Sequence, residues 1–167
     1  MRVGFAIAIL TGGLAFGSTV EAETVTLSTG VTGTCKPMFE DESNCTSFAG
    51  CITPNDDWFQ GQARGWAGGS VTLNLNSGTT CQGDWDFRSA VDSGKTQVAC
   101  DDGENFELSF FLRGENGAAM SGNGLTRNSR RITIYGGPGA AAYLKTRQDT
   151  DYKSQFSCGS ITIKLED

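Results

Sequence analysis

The chain has 167 residues, no histidine and a formal net charge of −6 at pH 7. Without histidine, the usual serine–histidine and cysteine–histidine nucleophilic mechanisms are excluded, and the commonest transition-metal ligand is missing. The acidic balance argues against a nucleic-acid partner, because the Lys and Arg residues that neutralise phosphates supply much of the affinity for nucleic acids.

Residues 1–22 have the composition of an export signal. Arg2 supplies a positive charge, residues 4–17 are mostly apolar, and Ala22 is the small residue that a signal peptidase requires. The apolar stretch is shorter than the roughly 20 residues of a membrane-spanning helix. We therefore expect cleavage after Ala22, no transmembrane anchor in the mature protein, and a periplasmic or secreted location.

Residues 23–68 are predicted to form an irregular, disulfide-linked segment with one early strand around Thr24–Leu27. The segment has few alternating apolar residues and contains three of the six cysteines: Cys35, Cys45 and Cys51. It is expected to pack on a β domain of residues 69–167, so that residues 23–167 form one folded unit.

Residues 69–167 show the alternation of apolar and polar residues that is typical of half-buried strands. Alternating runs occur at residues 71–75, 106–112, 132–134 and 161–165, and glycine-containing turns separate them. This pattern predicts an all-β fold, either an antiparallel sandwich or a small barrel of about 8 short strands.

Two turns predict the register of four of these strands. Residues 76–78 and 101–103 each fit a three-residue hairpin loop with glycine in the left-handed third position. If the two hairpins are joined so that all apolar residues stay on one face, Cys81 lies directly opposite Cys100. Opposed residues of antiparallel strands are close enough for a disulfide, so we predict a Cys81–Cys100 disulfide.

With this pair fixed, the other four cysteines allow three pairings, and these are left open. If all four are paired, one of the three early cysteines must join Cys158, and we favour Cys35 or Cys45 for that long link. The chain contains no Cys-x-x-Cys motif, so structural disulfides are predicted rather than a metal or redox site. Neither a metal nor a cofactor is expected.

Two groups of side chains are candidates for binding a partner. The first lies among Gly and Asp residues without strand periodicity: Trp58, Phe59 and Trp66. The second is an arginine cluster at a predicted hairpin tip, which suits an anionic partner: Arg127, Arg130 and Arg131. In contrast, Trp85 and Phe87 share a face with Cys81 and are expected in the core.

Carboxylates near aromatic residues raise the hypothesis of glycoside hydrolysis, which requires an acid and a base or nucleophile. Asp84 and Asp86 flank Trp85, but the predicted register turns both carboxylates outward. The acidic turn at residues 101–104 lacks the Asp-x-Asp-x-Asp-Gly pattern of a calcium loop. Solvated charges are the favoured interpretation, and the protein is expected not to be an enzyme.

Two stretches resemble known exported proteins. Residues 77–85, followed by residues 98–103, look like small exported bacterial β-proteins. Residues 99–106, together with Cys158, are similar to the opening and closing of C-type lysozyme inhibitor domains, which are small periplasmic β-barrels that block a lysozyme cleft. The Ser-Gly inhibitory loop of that family has no clear match in this sequence.

The sequence therefore predicts an exported, disulfide-stabilised β-protein that acts as a binding or structural module of the cell envelope or secretome. The expected partner is a protein or a glycan, and the oligomeric state is left open. The alternatives are a secreted enzyme inhibitor, as the second resemblance implies, and a carboxylate-based glycan hydrolase.

Overall fold

The computed structural model describes residues 22–30, 35–38, 40–88 and 91–166. The predicted signal segment, apart from Ala22, lies outside these residues. Within the described ranges, no helix is both long enough and apolar enough to cross a membrane.

Eleven strands account for most of the described chain. In chain order they are β1 Thr24–Ser28, β2 Cys45–Thr53, β3 Asp57–Arg64, β4 Gly68–Leu75, β5 Thr80–Arg88, β6 Ser93–Cys100, β7 Asn105–Arg113, β8 Ala119–Thr126, β9 Arg131–Gly136, β10 Gln155–Cys158 and β11 Ile161–Glu166. A short helix, α1 Ala140–Leu144, and two 3-10 turns, Glu115–Gly117 and Gln148–Thr150, lie in the connections.

Strands β2 to β9 form a closed antiparallel barrel in which each strand pairs with its neighbour in sequence. The barrel closes where β9 pairs with β2, for example with Ile134 opposite Gly50. The predicted all-β fold of about eight antiparallel strands is confirmed, and the architecture is a barrel rather than a sandwich. Closure leaves none of these eight strands as a free edge.

The register of β4 to β7 is the one that the turns predict. Cys81 lies opposite Cys100, and Val98 lies opposite Phe106. Gly78, the third residue of the first turn, has a φ of 92°, which a residue with a side chain rarely adopts. The Cys81–Cys100 disulfide is present and joins β5 to β6 inside the barrel.

Every second residue of the barrel strands points into the barrel, and the centre is filled by large apolar side chains. Fully or almost fully buried residues from five strands meet there: Ile52, Phe59, Leu73, Phe106, Leu108 and Ile132. Burial of a side chain of this size contributes about 1.5–3 kcal/mol. Glycines make room for the rings, since a Cβ on Gly50 would overlap the ring of Phe59.

A second core lies on the outside of the barrel. Strand β11 pairs in parallel with β1 and antiparallel with β10, which makes a three-stranded sheet. Its apolar face, with Leu27 and Ile163, packs together with α1 over the outward-facing Ala49 of β2. The ring of Phe156 in this sheet lies 4.9 Å from the ring of Tyr135 on β9.

The prediction of an irregular segment over residues 23–68 is wrong for residues 45–64, which include β2 and β3. Strand β2 is buried on both faces, since Phe48 points into the barrel and Ala49 lies under the second sheet. A strand buried on both faces has no apolar–polar alternation, so the pattern that identifies other strands is absent. The early strand predicted near Thr24–Leu27 is present as β1.

The preference for Cys35 or Cys45 as the partner of Cys158 is also wrong. Cys158 is bonded to Cys51, and Cys35 is bonded to Cys45. Cys51 points outward near the end of β2, directly beneath β10. Cys45 starts the same strand six residues earlier, about 20 Å away at the rise of a β-strand, and so lies too far from β10.

Candidate functional site

The two ends of the barrel differ in how they are filled. At one end, called the packed end, lie the turns that connect β2 to β3, β4 to β5, β6 to β7 and β8 to β9. At the other, called the open end, the interior is a pocket of about 760 Å³ that opens to solvent. An eight-stranded barrel has room for its own side chains or for one small ligand, and this barrel divides its interior between the two.

Aromatic rings form one wall of the pocket. Phe87 of β5 and Phe110 of β7 are stacked, with ring centroids 6.4 Å apart and an interplanar angle of 13°. Trp85 meets the ring of Phe110 edge-on at 6.1 Å. The remaining wall is mainly aliphatic: Ala63, Val71, Leu108, Leu112, Met120 and Ile134. The inner surface is therefore mainly apolar.

Glycines on neighbouring strands let these rings lie against the barrel wall. A Cβ on Gly94 of β6 would overlap the ring of Phe110, and a Cβ on Gly61 of β3 would overlap the ring of Phe48. Each ring thus lies across the backbone of the adjacent strand instead of extending across the barrel. This arrangement keeps the middle of the open end free.

Two polar hydrogens on the pocket wall have partners in the protein. The indole N–H of Trp85 donates to the carbonyl of Arg64 at 3.0 Å. The hydroxyl of Thr96 donates to the carbonyl of Asp84 at 2.8 Å. The N–H of Trp85 therefore holds the indole ring in place at the pocket wall.

One side of the rim is a loop that precedes β2. The described residues of this loop, 35–38 and 40–44, are called the entry loop. The Cys35–Cys45 disulfide closes its base, and the N–H of Cys45 donates to the carbonyl of Lys36 at 3.0 Å. These bonds tie the loop to the start of a barrel strand.

Asn44 fastens the entry loop to the turn between β3 and β4. Its Nδ2 donates to the carbonyl of Gly65 at 2.8 Å, and its Oδ1 accepts from the N–H of Met38 at 2.8 Å. Within the loop, hydrogen bonds from the hydroxyl and the backbone N–H of Ser43 lower the pKa of Asp41. The rim is therefore held by fixed hydrogen bonds before any ligand arrives.

The rim also carries the exposed aromatic and charged groups of the pocket. Trp66, in the turn between β3 and β4, is 37% exposed, and Met38 of the entry loop is 42% exposed. Among the described residues, the charged side chains that line the pocket are Glu40 in the entry loop and Asp92 before β6.

The three aromatic residues proposed for binding lie in three different places. Trp66 is at the rim of the pocket, as a binding residue would be. Phe59 is completely buried in the packed centre, so its proposed binding role is wrong. Trp58 points outward and packs against the second core.

Trp85 and Phe87, expected in the core, do face the interior but are only half-buried and line the pocket. Alternation identifies such inward positions correctly. It does not distinguish positions in a filled part of the barrel from positions in an empty one, so the pocket itself has no signal in the sequence.

The arginine cluster lies at the packed end, with Arg127 and Arg130 in the predicted hairpin turn between β8 and β9 and Arg131 at the start of β9. Arg130 is bound to carboxylates on both sides, with its Nη1 2.6 Å from Asp57 and its Nη2 3.2 Å from Glu104. Arg127 and Arg131 are exposed. The central arginine therefore ties three connections together, which is a structural role and not an open anion site.

The carboxylates considered for hydrolysis lie on the outside of the barrel. Asp84 and Asp86 point outward from β5, as the register predicts, into a shallow groove of about 910 Å³ that Lys95 and Arg127 also line. Asp102 accepts a hydrogen bond from the N–H of the residue two positions later, within the turn. Within the described chain, no group of three or more Cys, Asp or Glu residues is placed to hold a metal ion.

Comparison with protein-family models and with curated proteins finds no match to this sequence. Among solved structures, the redesigned β-barrel mFAP0 bound to DFHBI is similar to this chain, with a TM-score of 0.43 and 11% identity over 55% of this chain and 92% of that one. A de novo designed fluorescence-activating β-barrel is similar with a TM-score of 0.42 and 11% identity, over 56% of this chain and 90% of its own.

Proposed function

We propose that this protein is a binding module that holds one small, largely apolar ligand in the open end of its barrel. The observation that carries this proposal is the pocket of about 760 Å³ with an aromatic wall, in a barrel that is otherwise tightly filled. Sites for small molecules have volumes of about 300–1,000 Å³, are mostly apolar, and are often found in the mouths of β-barrels.

The rigidity of the site supports a binding role. The rings of the wall are held against glycines, and the rim is fixed by the Cys35–Cys45 disulfide and by Asn44. A pocket that is ordered in advance loses little conformational entropy when a ligand enters. The proposed role is binding without catalysis, since the candidate carboxylates lie outside the pocket.

The three disulfides support a place of action outside the cytoplasm. All six cysteines of the chain are paired, and such disulfides form and persist in oxidising compartments. Together with the signal-like N-terminus, this supports an exported protein of the cell envelope or secretome that captures or carries its ligand there. The inhibitor hypothesis rests on the sequence resemblance alone.

Titration with the neutral fluorescent probe N-phenyl-1-naphthylamine tests the proposal. We expect saturable 1:1 binding with a rise in probe emission and a change in tryptophan emission, because Trp66 and Trp85 border the pocket. Ala63→Phe, which fills the pocket from β3, should abolish binding while the protein stays folded.

A matched pair of variants separates the pocket from the surface. Phe87→Ala removes a ring from the pocket wall and should weaken probe binding roughly fivefold or more, the equivalent of about 1 kcal/mol for one aromatic contact. Phe111→Ala removes a ring from the outer face of β7, where it is 37% exposed, and should leave binding unchanged. Equal effects of the two variants, or no saturable binding by the wild type, would contradict the proposal.

A further inference from the structure

We infer that the ligand is a lipophilic organic cation, with its apolar body inside the barrel and its charged end at the rim. This inference rests on the proposed function and adds the class of ligand. It is carried by three observations: the signs of the charges that line the pocket, the direction of the nearby basic side chains, and the indole rings in the same lining.

The charged residues that line the described pocket are both acidic. Glu40 is in the entry loop, and Asp92 lies in the connection between β5 and β6. The two carboxylates therefore come from separate parts of the rim. They give the mouth a negative potential that attracts a cation and repels the headgroup of a fatty acid.

The arginines at the open end of the barrel point away from the pocket. Arg113 lies on the outer face of β7, where its guanidinium is 5.0 Å from the centre of the Phe111 ring and its Nε donates to Ser121 at 3.1 Å. Arg88 is the last residue of β5 and points outward, on the same face of the strand as Asp86. A ligand carboxylate in the pocket would meet neither guanidinium.

Two further basic residues near the rim, Arg64 and Lys36, also lie outside the pocket lining. Arg64, at the end of β3, directs its Nη2 to Gln62 at 3.1 Å on the outer face. Lys36 of the entry loop is exposed and does not belong to the pocket lining. The charge asymmetry is thus specific to the mouth, because basic residues are present close by but face outward.

Indole rings that line the same pocket as the two carboxylates suit a cationic headgroup. Trp66 stands at the rim, and Trp85 also lines the pocket, with its N–H bonded to the backbone. The face of an indole ring attracts a cation, most strongly where water is partly excluded. A quaternary ammonium or a protonated amine on an apolar body satisfies both the walls and the rim.

Displacement of N-phenyl-1-naphthylamine by three matched twelve-carbon compounds tests the inference. The compounds are dodecyltrimethylammonium, dodecanol and dodecanoate, each used below its aggregation concentration. We expect the cation to displace the probe at an about tenfold lower concentration than the carboxylate does, with the alcohol between them, because Glu40 and Asp92 are exposed and each contributes modestly. The preference should shrink as salt is raised from about 0.01 to about 0.5 M.

Two double variants identify the source of the preference. Glu40→Gln/Asp92→Asn should bring the cation and the carboxylate to equal potency, each measured relative to the neutral dodecanol. Glu42→Gln/Asp86→Asn changes the net charge by the same amount at residues outside the pocket lining, and it should keep the preference.

The outcomes separate this inference from the proposed function. If the neutral probe binds but dodecanoate displaces it as well as or better than the cation does, the cationic ligand class is wrong and the apolar site remains. If the preference persists in Glu40→Gln/Asp92→Asn, it does not come from the rim and the inference is also wrong. Failure of the neutral probe to bind would overturn the proposed function itself.

Discussion

The packed end and the open end of this barrel are built from the same eight strands, yet only one of them is filled. At the packed end, inward positions carry large side chains such as Ile52, Phe59 and Ile132, which meet in the middle. At the open end, inward positions such as Ala63 and Gly94 are small, and the large rings lie flat against the wall. Strand pairing forms the barrel, whereas the sizes of the inward side chains decide which part of its interior stays empty.

The largest expected effect comes from a ring at the packed end. Phe59→Ala should lower the free energy of unfolding by about 3–5 kcal/mol, because Phe59 is completely buried and its neighbours cannot close the cavity. Phe87→Ala, at the open end, should cost about 1–2 kcal/mol, since that ring is half-buried and already borders empty space. Urea unfolding of both variants measures the difference, and equal losses would show that the open end is packed in solution.

The disulfides at the two ends should have similar effects on stability but different effects on binding. Cys81→Ala/Cys100→Ala and Cys35→Ala/Cys45→Ala release loops with sequence separations of 19 and 10, which predicts a loss of about 3 kcal/mol for each pair in the loop-entropy model. The second variant frees the entry loop and should also weaken binding of N-phenyl-1-naphthylamine. If binding is weaker only in the Cys81→Ala/Cys100→Ala protein, the ligand lies at the packed end and the proposed site is wrong.

A smaller effect is expected from the ion pairs that link the turns of the packed end. Arg130→Met leaves the mostly buried Glu104 and its neighbour Asp57 without their cation, and it should cost about 1–2 kcal/mol. The matched control is Arg131→Met, an exposed arginine at the start of β9, which should change stability by under about 0.5 kcal/mol. Chemical denaturation compares the two, and ligand binding should be unaffected in both.

The smallest effect is a pH dependence at the packed end. The hydroxyl and backbone N–H of Ser160 donate to the carboxylate of Asp56 at 2.7 and 2.6 Å, which lowers the pKa of Asp56 and ties the turn after β2 to the turn after β10. Because the folded-state pKa is lowered, the stabilisation is complete above the unfolded-state pKa of about 3.9 and is lost as the pH falls through the folded-state value.

The stability difference between the wild type and Asp56→Asn should therefore be constant near neutral pH and decrease in acid. Thermal unfolding at a series of pH values measures it. Ser160→Ala should show a smaller change of the same sign, because it removes the hydroxyl donor and keeps the backbone N–H. A difference that grows as the pH is lowered would contradict the assigned sign.

The part of the fold that could be predicted from sequence is the part in which contacts are local. In β4 to β7, apolar residues alternate and short turns join consecutive strands, so the Cys81–Cys100 pair follows from counting residues. In β2, burial on both faces removes the alternation, and the strand has no comparable pattern. The partner of Cys158 depends on where the second sheet lies over the barrel, which no local pattern encodes.

By itself, the sequence determined the all-β class, the register of the central hairpins, one disulfide, and the inward direction of Trp85 and Phe87. These properties depend on the two-residue period of a strand and on turns between adjacent strands. Only the tertiary structure decided that β9 closes on β2, that Cys51 meets Cys158, and that one end of the barrel remains open. Each of these depends on residues far apart in the chain and on the volumes that they leave between them, which emerge only when the whole barrel is assembled.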